Sequence, residues 1–358
     1  MQAEPPVQNA DAAPPAAAAS SAAVLALTGA PSGLVRRTLT AVLSEHSVLL
    51  LAATYFLAVW ALTPDVATPR NLRNLFLNLL PLLAVAVGQT VVMISGGIDL
   101  SATSIIAACS VIAATVMTQT LGARTAPLPG MVPWAILAAL AAGTAIGSFN
   151  GAAVGALGMP PFIATLGSMM VVSGGVLWWT KSKNVAGLPE SFVGLLAGEW
   201  LGVPSAAWVV AALAVAIHLL LSRTLWGYWL YATGHNPRAS LVSGVPVRRI
   251  TAAAYAVSGF CAAVAALLYT ARLESGSPVM GREILLDVIG ATVIGGTSLF
   301  GGKGRLTWTV CGVLLFALID NSLNLMGLEY YTIWTVKGLV ILGAAALDLL
   351  RARVLAGA

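Results

Sequence analysis

Residues 74–119 read NLFLNLLPLLAVAVGQTVVMISGGIDLSATSIIAACSVIAATVMTQ. Two apolar blocks, 74–94 and 101–119, flank Ser95-Gly96-Gly97-Ile98-Asp99-Leu100, and each approaches the ~20 residues that carry a helix across a bilayer. Hydrocarbon offers the backbone no hydrogen bonds, so Leu, Ala, Val and Gly runs of this length span as helices rather than as alternating barrel strands. The join has almost no loop. Two helix-breaking glycines and a carboxylate there predict a broken helix at membrane depth, with the freed backbone groups turned to protein or to a lined cavity.

Outward from this stretch the pattern repeats. Further apolar blocks lie near 47–63, 132–155, 160–180, 205–222, 249–270, 283–298, 305–325 and 331–349. Of 358 residues, 58% are hydrophobic and 9% charged, against roughly 25% charged in soluble chains. The expected fold is all-α integral membrane, with about ten transmembrane helices and broken or re-entrant segments. Residues 1–35, rich in Ala and Pro with Glu4 and Asp11 among them, cannot bury enough surface to fold alone and read as a disordered cytoplasmic tail. No Lys or Arg precedes the weakly apolar Ala16–Ala30 stretch, which argues against a cleaved signal. Residues 36–358 form the transmembrane domain.

The net charge of +5 belongs to topology, because the basic residues fall in the connections between blocks. With the N-terminus inside, Arg36, Arg37, Arg223, Arg238, Arg248, Arg249, Lys303, Arg305, Arg351 and Arg353 collect on the cytoplasmic side, against a smaller external set. That bias predicts both termini inside, and no nucleic-acid partner. Cys109, Cys261 and Cys311 lie within apolar blocks without metal-ligand spacing and read as inert packing residues.

Several segments stand out from this background. Asp99 or Ser101 can cap the helix that follows the break, and Gly96, Gly97, Asp99 and Ser101 are candidates for a hinge or for the lining of a solute path. Gly88-Gln89-Thr90-Val91-Val92 is echoed by Gly290-Ala291-Thr292-Val293-Ile294, each followed by a Gly-Gly break, Gly96-Gly97 after the first and Gly295-Gly296 and Gly301-Gly302 after the second. Such an echo is what internal duplication in a transporter leaves, and it adds Gln89, Gly295 and Gly296 to the candidates. Asn150, in Gly147-Ser148-Phe149-Asn150-Gly151, either lines a path or bonds across a helix interface.

On the cytoplasmic side, Gly234-His235-Asn236-Pro237-Arg238-Ala239-Ser240 runs to Gly244. Asn236 can cap a short helix that starts at Pro237 and stops at Gly244, too polar at its ends to span and suited to docking in a partner's groove. Among polar residues inside the blocks are Asn78, Gln89, His218, Asp287, Asp320, Asn321, Asn324 and Lys337; Asp320 and Lys337 are placed to pair. Thr297 stands where the first glycine of a P-loop would, and Gly304 follows Lys303 in place of Ser or Thr, so the chain has no phosphate-binding loop of its own. No catalytic motif, metal cluster or cofactor site emerges.

These residues together resemble a family: the permease subunits of bacterial ATP-binding cassette importers for monosaccharides, typified by the ribose permease. The resemblance runs from about Asn71 to Asp348. It rests on Ser95-Gly96-Gly97-Ile98-Asp99-Leu100-Ser101, Phe149-Asn150-Gly151, Pro161-Phe162-Ile163-Ala164-Thr165-Leu166-Gly167, Gly234-His235-Asn236-Pro237-Arg238-Ala239 with Ser243-Gly244, and Ile294-Gly295-Gly296-Thr297-Ser298-Leu299-Phe300-Gly301-Gly302. It implies a multi-pass inner-membrane protein, a second permease copy or related permease, a cytoplasmic ATPase received at Gly234–Gly244, and a periplasmic sugar-binding protein. Ala102-Thr103 and Ser173-Gly174 depart from the usual pattern and leave the sugar open. Two alternatives stand beside this: a related permease for branched-chain amino acids or nucleosides, and an ion-coupled secondary transporter using Asp99, Asp287 or Asp320.

Overall fold

The computed structural model describes residues 47–118 and 127–356. The expected tail, 1–35, lies outside the described residues, as do Arg36, Arg37 and Arg124. The helices are α1 (Ser47–Leu62), α2 (Pro69–Ile94), α3 (Ala102–Thr118), α4 (Val132–Gly155), α5 (Pro161–Thr180), α6 (Glu190–Ala197), α7 (Ser205–Arg223), α8 (Leu225–His235), α9 (Pro237–Val242), α10 (Val247–Leu273), α11 (Leu285–Ile294), α12 (Leu306–Leu325) and α13 (Tyr330–Ala356). Among the described residues, β structure is confined to two short antiparallel pairs, β1 (Val185–Ala186) with β4 (Ser275–Gly276), and β2 (Glu199–Trp200) with β3 (Val203–Pro204).

Helices α2, α5, α7, α10, α12, and α4 with its leading turn, are long and apolar enough to cross a membrane. Each of the ten expected blocks is helical, but the eighth is not a full span. α11 has ten residues, about 15 Å at 1.5 Å per residue, because Gly281 turns the chain before it and Gly296 after it, both at positive φ.

α2 and α10 form the centre. From Leu79 to Ile94 every residue of α2 is buried, as a helix apolar all round must be. The tightest seam lies between α4 and α10. Gly143, Gly147, Gly151 and Gly155 recur every fourth residue on α4, and a Cβ at each would strike α10 backbone: the carbonyls of Gly259, Tyr255, Ala252 and Arg248 respectively. In lipid, where hydrophobicity does not drive helices together, such close backbone approach supplies the packing. Trp134, Leu137 and Phe149 of α4 and Phe162, Met170, Val171 and Trp178 of α5 are exposed, which suits a surface solvated by lipid tails.

Antiparallel spans sort the connections to two ends. At one, β1 pairs with β4, Arg73 pairs with Glu199, and Asn71 and Asn321 exchange side-chain hydrogen bonds at 2.8 and 3.0 Å. At the other lie the Gly96-Gly97 break, α8, α9 and the Gly295–Arg305 connection.

Candidate functional site

Both Gly-Gly breaks are helix stops of the same kind. After α2, the N–H of Gly96 bonds the carbonyl of Met93 at 2.9 Å and that of Gly97 bonds Val92 at 3.1 Å, with Gly96 at φ +85°. After α11, Gly296 bonds Val293 at 2.8 Å and Thr297 bonds Thr292 at 3.1 Å, with Gly296 at φ +79°. This is the Schellman stop, in which a left-handed glycine satisfies the last carbonyls. Its register matches Gly96 to Gly296 and Val92 to Thr292, two positions from the sequence echo that aligns Thr90 with Thr292. α12 ends the same way at Gly327, so the stop by itself does not mark duplication.

Three segments meet behind these stops. The N–H of Gly302 donates to the carbonyl of Ile94 at 2.9 Å. A Cβ at Gly301 would meet the backbone of Gly96, one at Gly302 would meet His235, and one at Gly234 would collide with the Ile94 carbonyl and the Gly302 nitrogen. The Tyr231 hydroxyl donates to the carbonyl of Gly304 at 2.8 Å, fastening α8 to the same place. Two candidates from the sequence, the Gly96 hinge and the Gly234 loop, are thus in backbone contact. Gly295 presses instead on Trp308 and Thr309 of α12, and Gly296 stands in open space. Gly301 and Gly302, the second glycine pair after α11, complete the contact.

α9 follows directly. Asn236 Oδ1 accepts the N–H of Ala239 at 3.0 Å, Pro237 holds the first helical position, and Gly244 at φ +84° ends the element. Each device answers a terminal backbone group that the short helix cannot satisfy internally. Ser240 turns inward, while Arg238, Ala239, Leu241 and Val242 are exposed. Between α9 and the break lies a cavity of about 170 Å³, lined among others by Ser95, Gly97, Thr233, Pro237, Arg248 and Tyr255. The broken backbone therefore faces a cavity whose mixed lining includes the polar groups of Ser95, Thr233 and Arg248.

Asp99, Ser101 and Asn150 come together in a cluster with no solvent exposure. Asp99 Oδ1 accepts the Ser101 N–H at 3.0 Å and hydroxyl at 2.6 Å; Oδ2 accepts the Ser258 hydroxyl at 2.8 Å. Asn150 Nδ2 donates to Ser101 Oγ at 2.7 Å. Asp99 thus closes the turn leading into α3 rather than bonding the first N–H groups of that helix. Thr165 of α5 donates to the neighbouring carbonyl of Ile98 at 3.3 Å, so the cluster ties α3, α4, α5 and α10 to the break. Sequence reasoning missed Ser258 and Tyr255. Their i, i+3 placement on one face of an otherwise apolar helix was the available signal. Gln89, buried in α2, is separate, and neither of its amide atoms has a protein partner.

At the opposite end Lys337 of α13 bonds Asp320 of α12 at 2.6 Å, the expected pair, and also Asp287 of α11 at 2.9 Å.

Residues 71–345 match the family described as branched-chain amino acid transport system / permease component. The chain is 35% identical to the ribose import permease protein RbsC of Escherichia coli (strain K12) over 310 residues, 86% of this chain and 94% of that protein. It is 31% identical over 304 residues to the L-arabinose transport system permease protein AraH of the same strain, 85% of this chain and 90% of that protein. To the D-allose transport system permease protein AlsC of that strain it is 31% identical over 291 residues, 80% and 86% of the two chains. No solved structure matches the chain.

Proposed function

The chain belongs to the branched-chain amino acid transport system / permease component family, and on that premise we propose that it carries a monosaccharide inward as the permease subunit of an ATP-binding cassette importer. A permease component is a multi-pass transport protein and not an enzyme. The sugar follows from the relatives, whose names assign ribose, L-arabinose and D-allose to permeases that this chain matches over at least four-fifths of its length.

The observation that carries the mechanism is the backbone contact of Gly234 with Ile94 and Gly302. A cytoplasmic ATPase seated on the exposed face of α9 moves α8 and α9 together. Because Gly234 leaves no slack against Ile94 and Gly302, that motion reaches the end of α2 beside Gly96 directly and the connection after α11 at Gly302. Alternating access is the consequence: closure of the ATPases at this end shifts the broken helices and changes which end is open. A periplasmic sugar-binding protein meets the opposite end, and a second permease copy completes the pore.

The test is uptake of D-ribose, L-arabinose and D-allose by cells expressing this chain with its ATPase and binding protein, beside Arg238→Glu/Leu241→Glu on the exposed face of α9. The parent takes up at least one sugar, and the double variant loses ATPase co-purification and uptake together. Intact co-purification and uptake in the double variant would remove α9 as the docking element. The family's description favours a second reading, a branched-chain amino acid as cargo, which predicts uptake of leucine and of none of the sugars.

A further inference from the structure

The end of the bundle opposite α9 holds a cavity of about 370 Å³ between α11, α12 and α13, within the range of small-molecule sites. Its walls are unlike the rest of an apolar bundle. Glu283, Asp287, Asp320, Lys337 and Asn324 line it with the rings of Tyr330 and Trp334, beside aliphatic side chains such as Ile284 and Ile341. The rings of Tyr330 and Trp334 lie 5.6 Å apart, tilted at 48°, and both side chains are largely exposed.

This lining selects by chemistry. An anion meets three carboxylates against one ammonium. A metal ion finds the aspartates already occupied, since Lys337 holds one oxygen of each at 2.9 and 2.6 Å, and among the described residues no three His, Cys, Asp or Glu side chains converge as ligands. An apolar ligand would desolvate the carboxylate charge that the single ammonium of Lys337 leaves unbalanced, which costs free energy. A neutral polyhydroxylated ligand, with hydroxyls for the charged groups and C–H faces for the rings and aliphatic side chains, suits this mixed lining. Its hydroxyls donate to Asp287 Oδ1 and Asp320 Oδ2, for which no partner stands among the described residues, and accept from Lys337 and Asn324. Its C–H face covers the exposed indole and phenol.

We infer that this cavity is a monosaccharide site at the external end of the permease, a resting place between release from the binding protein and passage through the bundle. The inference rests on the sugar-importer reading above and assigns it a location. Trp334 supplies the face against which the ring lies, and Asp320 and Asn324 discriminate hydroxyl orientation.

The experiment uses the assembled importer and whichever of D-ribose, L-arabinose and D-allose its parent form takes up. Asn324→Cys is introduced with Cys311→Ala, and modification by a membrane-impermeant maleimide is timed with and without that sugar. Ile284→Cys, at a second lining position, covers the case in which loss of Asn324 itself weakens binding. Occupancy slows modification in a dose-dependent way, by about tenfold at ten times the half-saturating concentration. The protection survives Trp334→Phe and is lost in Trp334→Ala. Unchanged modification at both positions, with sugar uptake by the parent intact, overturns the site and leaves the importer reading standing. Failure of the parent to take up any of the three sugars overturns that reading and the site with it.

Discussion

The backbone N–H of Gly302 donates to the carbonyl of Ile94 at 2.9 Å. Ile94 is the last residue of α2, and Gly302 lies in the connection that follows α11, so one hydrogen bond ties the end of α2 to that connection. Gly234 fills the remaining space beside it. The arrangement requires bare backbone on all three sides, which is why Gly96, Gly234, Gly301 and Gly302 converge there.

Gly234→Ala follows as the sharpest probe of this contact. The added methyl is forced into the Ile94 carbonyl and the Gly302 nitrogen, and overpacking of this kind costs about 1–3 kcal/mol. The expected result is a lower thermal midpoint in detergent and fewer sugars carried per ATP hydrolysed. Gly244→Ala, where nothing lies within reach of a Cβ but φ is +84°, strains only the end of α9. Equal behaviour of the two variants would argue that backbone strain, not the three-way contact, matters.

The buried carboxylate gives a second prediction. Asp99 is held by donors from Ser101 and Ser258 and by no cation among the described residues. Removing a hydrogen-bond partner from a buried group costs about 1–3 kcal/mol, more for a charge. Ser258→Ala lowers stability within that range, and Ser101→Ala lowers it further, because Ser101 Oγ also accepts from Asn150. Asp99→Asn combined with Ser258→Ala is then markedly less than additive, as expected of groups in one network. Strict additivity in thermal unfolding of the purified protein would show that the two residues do not share a bond.

The glycine seam yields a third. Gly147→Ala places a methyl against the Tyr255 carbonyl and Gly259 and is expected to separate α4 from α10, destabilising by about 1–3 kcal/mol. Gly167→Ala on α5, where no atom lies within 4 Å of the new methyl, is expected to be neutral or slightly stabilising through its better helix propensity. Thermal midpoints of the two variants, measured side by side in the same detergent, check the contrast. A Gly147 variant as stable as the Gly167 variant would mean the seam has slack.

Much of this was legible in the chain. The apolar blocks fixed ten helices to within a few residues at most ends, because a bilayer demands long runs that loops cannot imitate. Asn236-Pro237 and Gly244 marked α9 because capping chemistry is local. Other features depend on contacts between distant residues. Nothing near Gly234 announces Ile94 or Gly302, and nothing near Asp99 announces Ser258. α6 and α8 were passed over because eight and eleven residues fall below what hydropathy resolves. The eighth block, 283–298, read as a full span because it was carried through Gly295 and Gly296, the glycines at which the helix stops.

Lys337 makes the final case. It bridges Asp287, as buried as itself, and Asp320, which is half exposed. Removing one partner of a fully buried pair costs about 3–5 kcal/mol, because the other charge is left unpaired; Lys337 and Asp287 are part-buried, each 13% exposed, so a fraction of that cost applies. Lys337→Met therefore destabilises through Asp287, whereas Asp320→Asn costs little, since a pair that reaches solvent contributes about 0–1 kcal/mol. Adding Asp287→Asn to Lys337→Met removes the orphaned charge and recovers most of the loss. That recovery separates electrostatics from packing: if the double variant is no more stable than Lys337→Met alone, the lysine acts through the space its stem fills between α11 and α13, and the charge it carries is incidental.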